Sequence, residues 1–332
     1  MRRSEAALED GVGSRIARTR QTLPGPGARA STATDPVKRL LERFAARRPM
    51  RTGSLIVTVF GDALLPRGGA VQLAGLLALL RHFSLNDSQV RTALSRLVAD
   101  HWLAAERRGR RSLYRPTETG QHRFDEATRR IYAGPPRRWR GAWHLLMLPG
   151  GAARGPLAQE LGWLGFGTLS PGLMLHPAPD LASLASVIGD LPPASRPLAI
   201  AGKTVLAAPP GLQADLMARC WDLNALARGW RHFLGQFAEL RRAVERGVDL
   251  APLDALLARL MLIHDYRRVL LRDPMLPAEL LPADWPGRDA YAAARDLYRA
   301  LAGPAEHWID DHLEGENGKL PRPDAGFRRR FP

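Results

Sequence analysis

Lysine is nearly missing from this chain. Lys38, Lys203 and Lys319 are the only lysines among 48 basic residues, so arginine carries almost all of the positive charge. Alanine and proline are abundant too, a bias that suits a GC-rich genome and says little about binding. Cysteine is reduced to Cys220. One thiol cannot close an internal disulfide, which excludes a disulfide-stapled fold and a cysteine-based structural zinc and fits a reducing cytoplasm. Beside Trp221 in an apolar helical stretch, Cys220 reads as inert core. No apolar run reaches the roughly 20 residues of a membrane span. Arg2-Arg3 is followed by no apolar h-region, so no signal peptide is expected. The expectation is a cytoplasmic protein without a membrane partner. Phosphate-binding loops, a Rossmann glycine pattern and a nucleophile elbow are also lacking. Gly165-Phe166-Gly167 is too short to cradle a phosphate.

What is present is sorted along the chain. Residues 1–140 hold 27 Lys+Arg against 12 Asp+Glu, a balance of +15, and residues 141–332 hold 21 of each. Codon bias would not segregate charge in this way. An excess confined to one part of the chain is the electrostatic footprint expected of a nucleic-acid-binding unit.

The stretch Ser54 to Phe124 explains that excess. Its apolar segments, Leu55 to Asp62 and Val71 to Phe83, read as two helices. A third begins at Asn86 or Asp87, where Gln89 stands three after Asn86 as in a capping box. Val90, Ala93, Leu94, Leu97 and Val98 fall on one side of it. Ser88, Gln89, Arg91, Thr92, Ser95 and Arg96 are left on the other, with no acid before Asp100. Arginine and glutamine can read base edges in the major groove, and hydroxyls suit base or phosphate. An ordinary solvated face would mix acids with bases. Two strands then enclose a basic turn, with Arg107, Arg108, Arg110 and Arg111 around Gly109 and Tyr114 on the return strand. Like charges crowded on one turn repel unless a polyanion is present. Together these elements predict a winged helix-turn-helix that binds double-stranded DNA.

Elsewhere the chain divides by pattern. Residues 1–50 read as a basic, partly disordered extension with a short helix over 36–48, where Val37, Leu40, Leu41 and Phe44 share a side. The winged helix is placed at 51–135. Leu64 to Gly69 is expected to be a loop, and Val71 to Leu73 a small third strand. Thr117 is placed to cap a helix that Gly134-Pro135-Pro136 breaks, and Arg137, Arg138 and Arg140 close the basic region. Over 136–210, strand and helix patterns follow in the order β-α-β-β-α-β, which suggests a ferredoxin-like domain. Its closing strand lies at Leu198–Ala201 or Lys203–Leu206. Residues 211–332 read as a helical regulatory domain, with helices at 213–220, 223–245, 252–272 and 288–313. The tail beyond Glu314 is polar and expected to be loose. The fold class is α+β, multidomain.

Three stretches carry a resemblance to a known family. They are Ser54 to Asp62, Val90 to Tyr114, and His264-Asp265-Tyr266-Arg267-Arg268 through Asp273-Pro274 to Asp284-Trp285-Pro286-Gly287. The chain resembles the PaaX-type repressors of phenylacetate-degradation operons from about residue 50 to about residue 305. The resemblance implies a winged helix, a middle domain similar to small CRISPR-associated nucleases, and a helical domain. It also implies a homodimer on a palindromic operator and phenylacetyl-CoA as the inducer that relieves repression. No other cofactor is expected. An acyl-CoA site needs cations for phosphates and an apolar slot for the acyl group. Arg267, Arg268 and Arg272, with Tyr266 and Trp285, are the candidates for it. The alternative is that these arginines are solvated and Trp285 staples its loop to the core.

Other readings remain beside this one. The regulator's effector is alternatively another acyl-CoA or an aromatic acid. An enzyme that uses CoA, or a nuclease of the CRISPR-associated kind, is the reading from a different class. Those nucleases place an acid at the end of their first strand. Here that strand ends Met147-Leu148-Pro149-Gly150, so fold without chemistry is expected. His264-Asp265 do not share a helix face. His307 and Asp311 do, but no third ligand has recognisable metal spacing. The expectation is a DNA-binding regulator without catalytic residues or metal.

Overall fold

The computed structural model describes residues 34–47, 52–135, 138–151, 154–203 and 212–332. The readings of residues 1–33, Arg48, Pro49, Pro136, Arg137 and a strand over 204–206 lie outside the described residues. The architecture is a mixed α+β one, with helices joined by small antiparallel sheets.

Helix α1 (Thr34–Ala45) buries Val37, Leu40 and Phe44. Helix α2 (Thr52–Val59) does not stop where a loop is expected. It runs on as a π turn over Phe60–Leu64 and a 3-10 turn over Leu65–Arg67, ending on Gly68 at φ +85°. The extension is held by burial, because Phe60, Leu64 and even Arg67 are inside. Strand β1 (Val71–Gln72) and helix α3 (Leu73–Arg81) lead to α4 (Asp87–Ala99). The capping box of α4 is complete. Asn86 Oδ1 accepts from Gln89 N at 2.9 Å, and Gln89 Oε1 accepts from Asn86 N at 3.0 Å. That satisfies two polar groups a helix start leaves open.

Strands β2 (Leu103–Arg108) and β3 (Arg111–Pro116) pair in register from Leu103–Pro116 to Arg108–Arg111 around a Gly109-Arg110 tip. Strand β1 adds to the far edge of β3. Thr117 begins α5 (Glu118–Ile131) by accepting from Gly120 N at 2.9 Å and donating to His101 O at 2.6 Å. A Cβ at Gly120 would stand 2.0 Å from Trp102 O, so this close approach needs glycine.

The next sheet is built from β4 (Ala142–Met147), β5 (Gly167–Ser170), β6 (Leu173–His176) and β7 (Leu198–Lys203), in the order β5-β6-β4-β7 with every neighbouring pair antiparallel. Helices α6 (Arg154–Trp163) and α7 (Leu181–Gly189) follow β4 and β6. Leu146 and Met174 face a core with Leu157, Leu161 and Leu184 of these helices. Their neighbours Leu145 and Leu175 face the other way, toward Met217 and Trp221 near the end of α8 (Leu212–Cys220). Alternation along each strand therefore fills two cores.

Long helices α9 (Leu223–Glu245), α10 (Pro252–Leu270) and α11 (Gly287–His312) complete the body. One apolar core joins them to α1, α2, α3 and α4. That core runs across residue 50 and links Val37–Tyr132 with Ala227–Phe331. The apolar side of α1 packs on α9 and α10, and α2 also packs on α10. The tail, expected to be loose, is instead folded and buried in part. After α11, strands β8 (Glu314–Gly315) and β9 (Gly318–Lys319) form a hairpin, and Leu320, Arg330 and Phe331 are buried. Phe331 is wholly enclosed against the rings of Tyr132, Tyr266, Tyr291 and Tyr298. An apolar ring is withdrawn from water there, and this draws a polar tail inward.

A buried ion network crosses the shared core. Arg259 on α10 donates to Asp62 Oδ2 at 2.9 Å and to Glu306 Oε1 at 2.6 Å. Arg67 donates to Glu306 Oε2 at 2.7 Å and to Asp310 Oδ1 at 2.7 Å. The hydroxyls of Tyr132 and Tyr298 donate to Asp62 Oδ1 at 2.7 and 3.0 Å, and Arg330 donates to the Asp62 carbonyl at 2.8 Å. Burial works against the charge on Arg259, but the Asp62 and Glu306 carboxylates outweigh it and raise its pKa above the ordinary arginine value. Paired, hydrogen-bonded charges of this kind fix how their elements meet.

Candidate nucleic-acid interface and ligand cavity

The first candidate surface is the outer face of α4. Ser88, Gln89, Arg91, Thr92, Ser95 and Arg96 are all exposed there, while Val90, Ala93, Leu94 and Leu97 are buried beneath them. Arg91 and Arg96 have no ion pair among the described residues. Gln89 has its amide oxygen committed to the capping box, so its NH2 group is the part left to meet a ligand. Asp87, at the start of the helix, is held by Arg81 in two hydrogen bonds of 3.0 and 2.9 Å. The Arg81 guanidinium keeps that carboxyl below its usual range.

The β2–β3 tip is the second surface. Arg107, Arg108, Arg110 and Arg111 are exposed and Tyr114 is half-buried. The four arginines are not equivalent. Arg108 Nη2 lies 2.6 Å from Glu316 Oε1, and Arg111 Nη1 lies 3.9 Å from Glu314 Oε2. Arg107 and Arg110 pair with no acid among the described residues.

The candidate effector residues do not gather in one place. Tyr266 and Trp285 wall a cavity of about 360 Å³ together with Trp230, Leu270, Leu276 and Tyr291. Arg268 and Arg272 instead line a groove of about 310 Å³ between α9 and α10, beside Arg47, His232 and Gln236. Arg267 reaches neither. It donates to Thr58 Oγ1 at 2.9 Å and to Ser54 O at 2.6 Å, tying α10 to α2. Burial pushes its guanidinium down to about 10. A cation that the sequence reading passed over, Arg288, stands at the cavity. Its place at the first turn of α11 follows from a long irregular connection whose path no periodicity predicts.

Two acids near these sites have structural partners. Asp273 accepts from Trp230 Nε1 at 2.7 Å and from Met275 N at 2.8 Å, and burial raises its pKa. Asp265 is clasped by Arg47 through both oxygens, at 2.5 and 2.7 Å. His264 lies buried 3.1 Å from Thr58 Oγ1, with burial and the charges of Arg267 and Arg268 pushing it down to about 3. Among the described residues, no group of three or more His, Cys, Asp or Glu side chains could hold a metal. No helix there is long and apolar enough to cross a membrane.

An exposed basic helix and hairpin thus stand on a helical body that holds an aromatic cavity. Comparison with known proteins identifies the family to which this arrangement belongs. Residues 51–120 match the model described as PaaX-like protein, and residues 221–311 match the PaaX-like protein C-terminal domain. The chain is 34% identical over 287 residues to the transcriptional repressor PaaX of Escherichia coli K12, covering 85% of this chain and 90% of that protein. It belongs to the PaaX-like family. Among solved structures it is similar to the uncharacterized protein Rv0674 of Mycobacterium tuberculosis, at 26% identity and a TM-score of 0.46, over 70% of this chain and 89% of that one.

Proposed function

We propose that this protein is a transcriptional repressor that binds operator DNA as a homodimer and is released by phenylacetyl-CoA. Residues 52–132 act as a winged helix. Its recognition helix is α4, with Arg91 and Arg96 reading base edges among Ser88, Gln89, Thr92 and Ser95. The β2–β3 hairpin is the wing, whose arginines track the phosphate backbone. The β4–β7 sheet with α6 and α7 is a ferredoxin-like domain, used for its shape rather than for catalysis. The observation that carries the DNA reading is the outer face of α4. It is exposed from Ser88 to Arg96 with no acid beyond Asp87, which Arg81 holds at the helix start, and it lies beside a hairpin with a basic tip. The kinship to a named repressor supports the sign of regulation.

The aryl group of the effector enters the cavity walled by Trp230, Tyr266, Trp285 and Tyr291. Flat aromatic walls suit a phenyl ring better than a short aliphatic acyl group. Arg288 at the cavity meets the thioester end or a phosphate, and Arg268 and Arg272 offer a second cationic groove. Helix α10 carries Tyr266 into the cavity and Arg267 onto α2, so one helix bears both the ligand wall and a tie to the DNA-binding unit.

The DNA reading is tested by titrating the protein against the promoter fragment beside its own gene and against random DNA of equal length. A specific regulator prefers the promoter by about a thousandfold or more. Equal affinity for both fragments would remove the repressor reading.

A further inference from the structure

We propose that the β8–β9 hairpin is a built-in competitor for the wing, its two acids occupying arginines that would otherwise meet DNA phosphate. The inference rests on the DNA-binding reading of the wing. Its geometry stands apart from that reading.

The hairpin is docked beside the wing sheet at short range. Gln72 Nε2, on β1, donates to Gly315 O at 3.0 Å with both groups buried. A Cβ at Gly315 would meet Ala70 O at 3.2 Å, so the backbones lie too close for a larger residue without adjustment. Leu313 packs near Gly75 of α3, where an added Cβ would come within 3.1 Å of its side chain. From this anchored position Glu316 reaches Arg108 at 2.6 Å and Glu314 faces Arg111 at 3.9 Å. These acids come from a segment about 200 residues away in sequence from the arginines they meet. They lie next to the β2–β3 hairpin, whose arginines crowd at its tip.

A carboxylate at that distance acts on a polyanion in two ways. Glu316, at 2.6 Å, occupies a guanidinium nitrogen of Arg108, and both carboxylates lower the positive potential of the wing. Arg108 and Arg111 are more than half exposed, so each pair is screened and adds little to stability. The same weakness lets phosphate displace it. The hairpin is also continuous with α11, whose first turns bear Arg288 and Tyr291 at the aromatic cavity. One helix thus runs from the cavity to the residues that flank the wing.

The test is a Glu314→Gln/Glu316→Gln double variant of the full chain, compared with a Glu239→Gln/Glu245→Gln control that removes two acids from α9. Affinity for the promoter fragment and for random DNA is measured across a salt series. The hairpin variant should bind both DNAs up to about fivefold more tightly for each acid removed. Its plot of log affinity against log salt should steepen by about one to two, because each freed arginine gains a phosphate contact. The gain should vanish in an Arg108→Ala/Arg111→Ala background. A hairpin variant that matches the control in affinity and slope, or that binds more weakly than the parent, would overturn the proposal. A parent that shows no salt-dependent binding would instead bring down the DNA reading, and the inference with it.

Discussion

Arg259 donates to Asp62 Oδ2 across 2.9 Å, and neither side chain is exposed. The pair joins α10, which lines the cavity, to the turn that follows α2. Asp62 also accepts from Tyr132, Tyr298 and Arg330, so four parts of the chain converge on one carboxylate. Removing one member leaves buried charge without its counter-ion, which costs about 3–5 kcal/mol. Asp62→Ala should lower unfolding stability by that amount in a denaturant titration. A loss under about 1 kcal/mol would show that the network does not join these elements.

Helix and wing should respond differently to the loss of arginine. Arg96→Ala removes a candidate base reader, and should weaken promoter binding by about 1–3 kcal/mol while relaxing base preference. Arg110→Ala should weaken promoter and random DNA alike, and reduce the salt slope by about one. Anisotropy titrations over a salt series measure both. If both variants bind like the parent, the contact surface lies elsewhere.

Acid should destabilise the fold through two buried histidines. Burial pushes His176 down to about 4, and burial with nearby arginine charge pushes His264 down to about 3. In the unfolded chain both titrate near pH 6.5, so the unfolded state binds more protons below that value and stability falls with pH. The full contribution is present above about pH 6.5 and is lost progressively toward pH 4, by at most about 1.4 kcal/mol per pH unit for each ring. Urea midpoints between pH 7 and pH 4.5 should show this slope, and His264→Gln should flatten it. An unchanged slope in the variant would mean that His264 is not held neutral.

Filling the cavity should separate ligand response from DNA binding. Ala278 is exposed yet lines the cavity, so Ala278→Trp can add bulk there without overpacking the core. The concentration of phenylacetyl-CoA needed for release should rise at least about tenfold, equal to 1.4 kcal/mol of lost affinity. DNA affinity without effector should be unchanged. Release at the parent's concentration would place the aryl group outside this cavity.

Local signals carried much of the fold. The Asn86–Gln89 box, the Thr117 cap and the strand–helix alternation over 142–203 are written in neighbouring residues, and each element lies within a few positions of where its pattern puts it. The extent of the shared core was not legible. Asp62 and Arg259 are 197 positions apart, and nothing in the periodicity of α2 or α10 announces the pair. Arg267 illustrates the same limit, because a terminal-turn arginine looks solvated until Ser54 and Thr58 are seen against it. The tail misled for a related reason. Its composition is polar, and Phe331 finds its aromatic partners only in three dimensions. Of the five effector candidates, Tyr266 and Trp285 share a wall, and Arg288 could be placed beside them only once the path of residues 271–287 was known.

In the proposed function an aromatic acyl-CoA controls DNA binding by this chain. The most direct measurement is fluorescence anisotropy of the labelled promoter fragment bound to purified protein, titrated with phenylacetyl-CoA, free phenylacetate and acetyl-CoA. Release by phenylacetyl-CoA, with little or none by the other two, is the predicted result, because aromatic walls suit a ring and cations suit phosphate. Tight binding that none of the three disturbs would contradict the account of the effector.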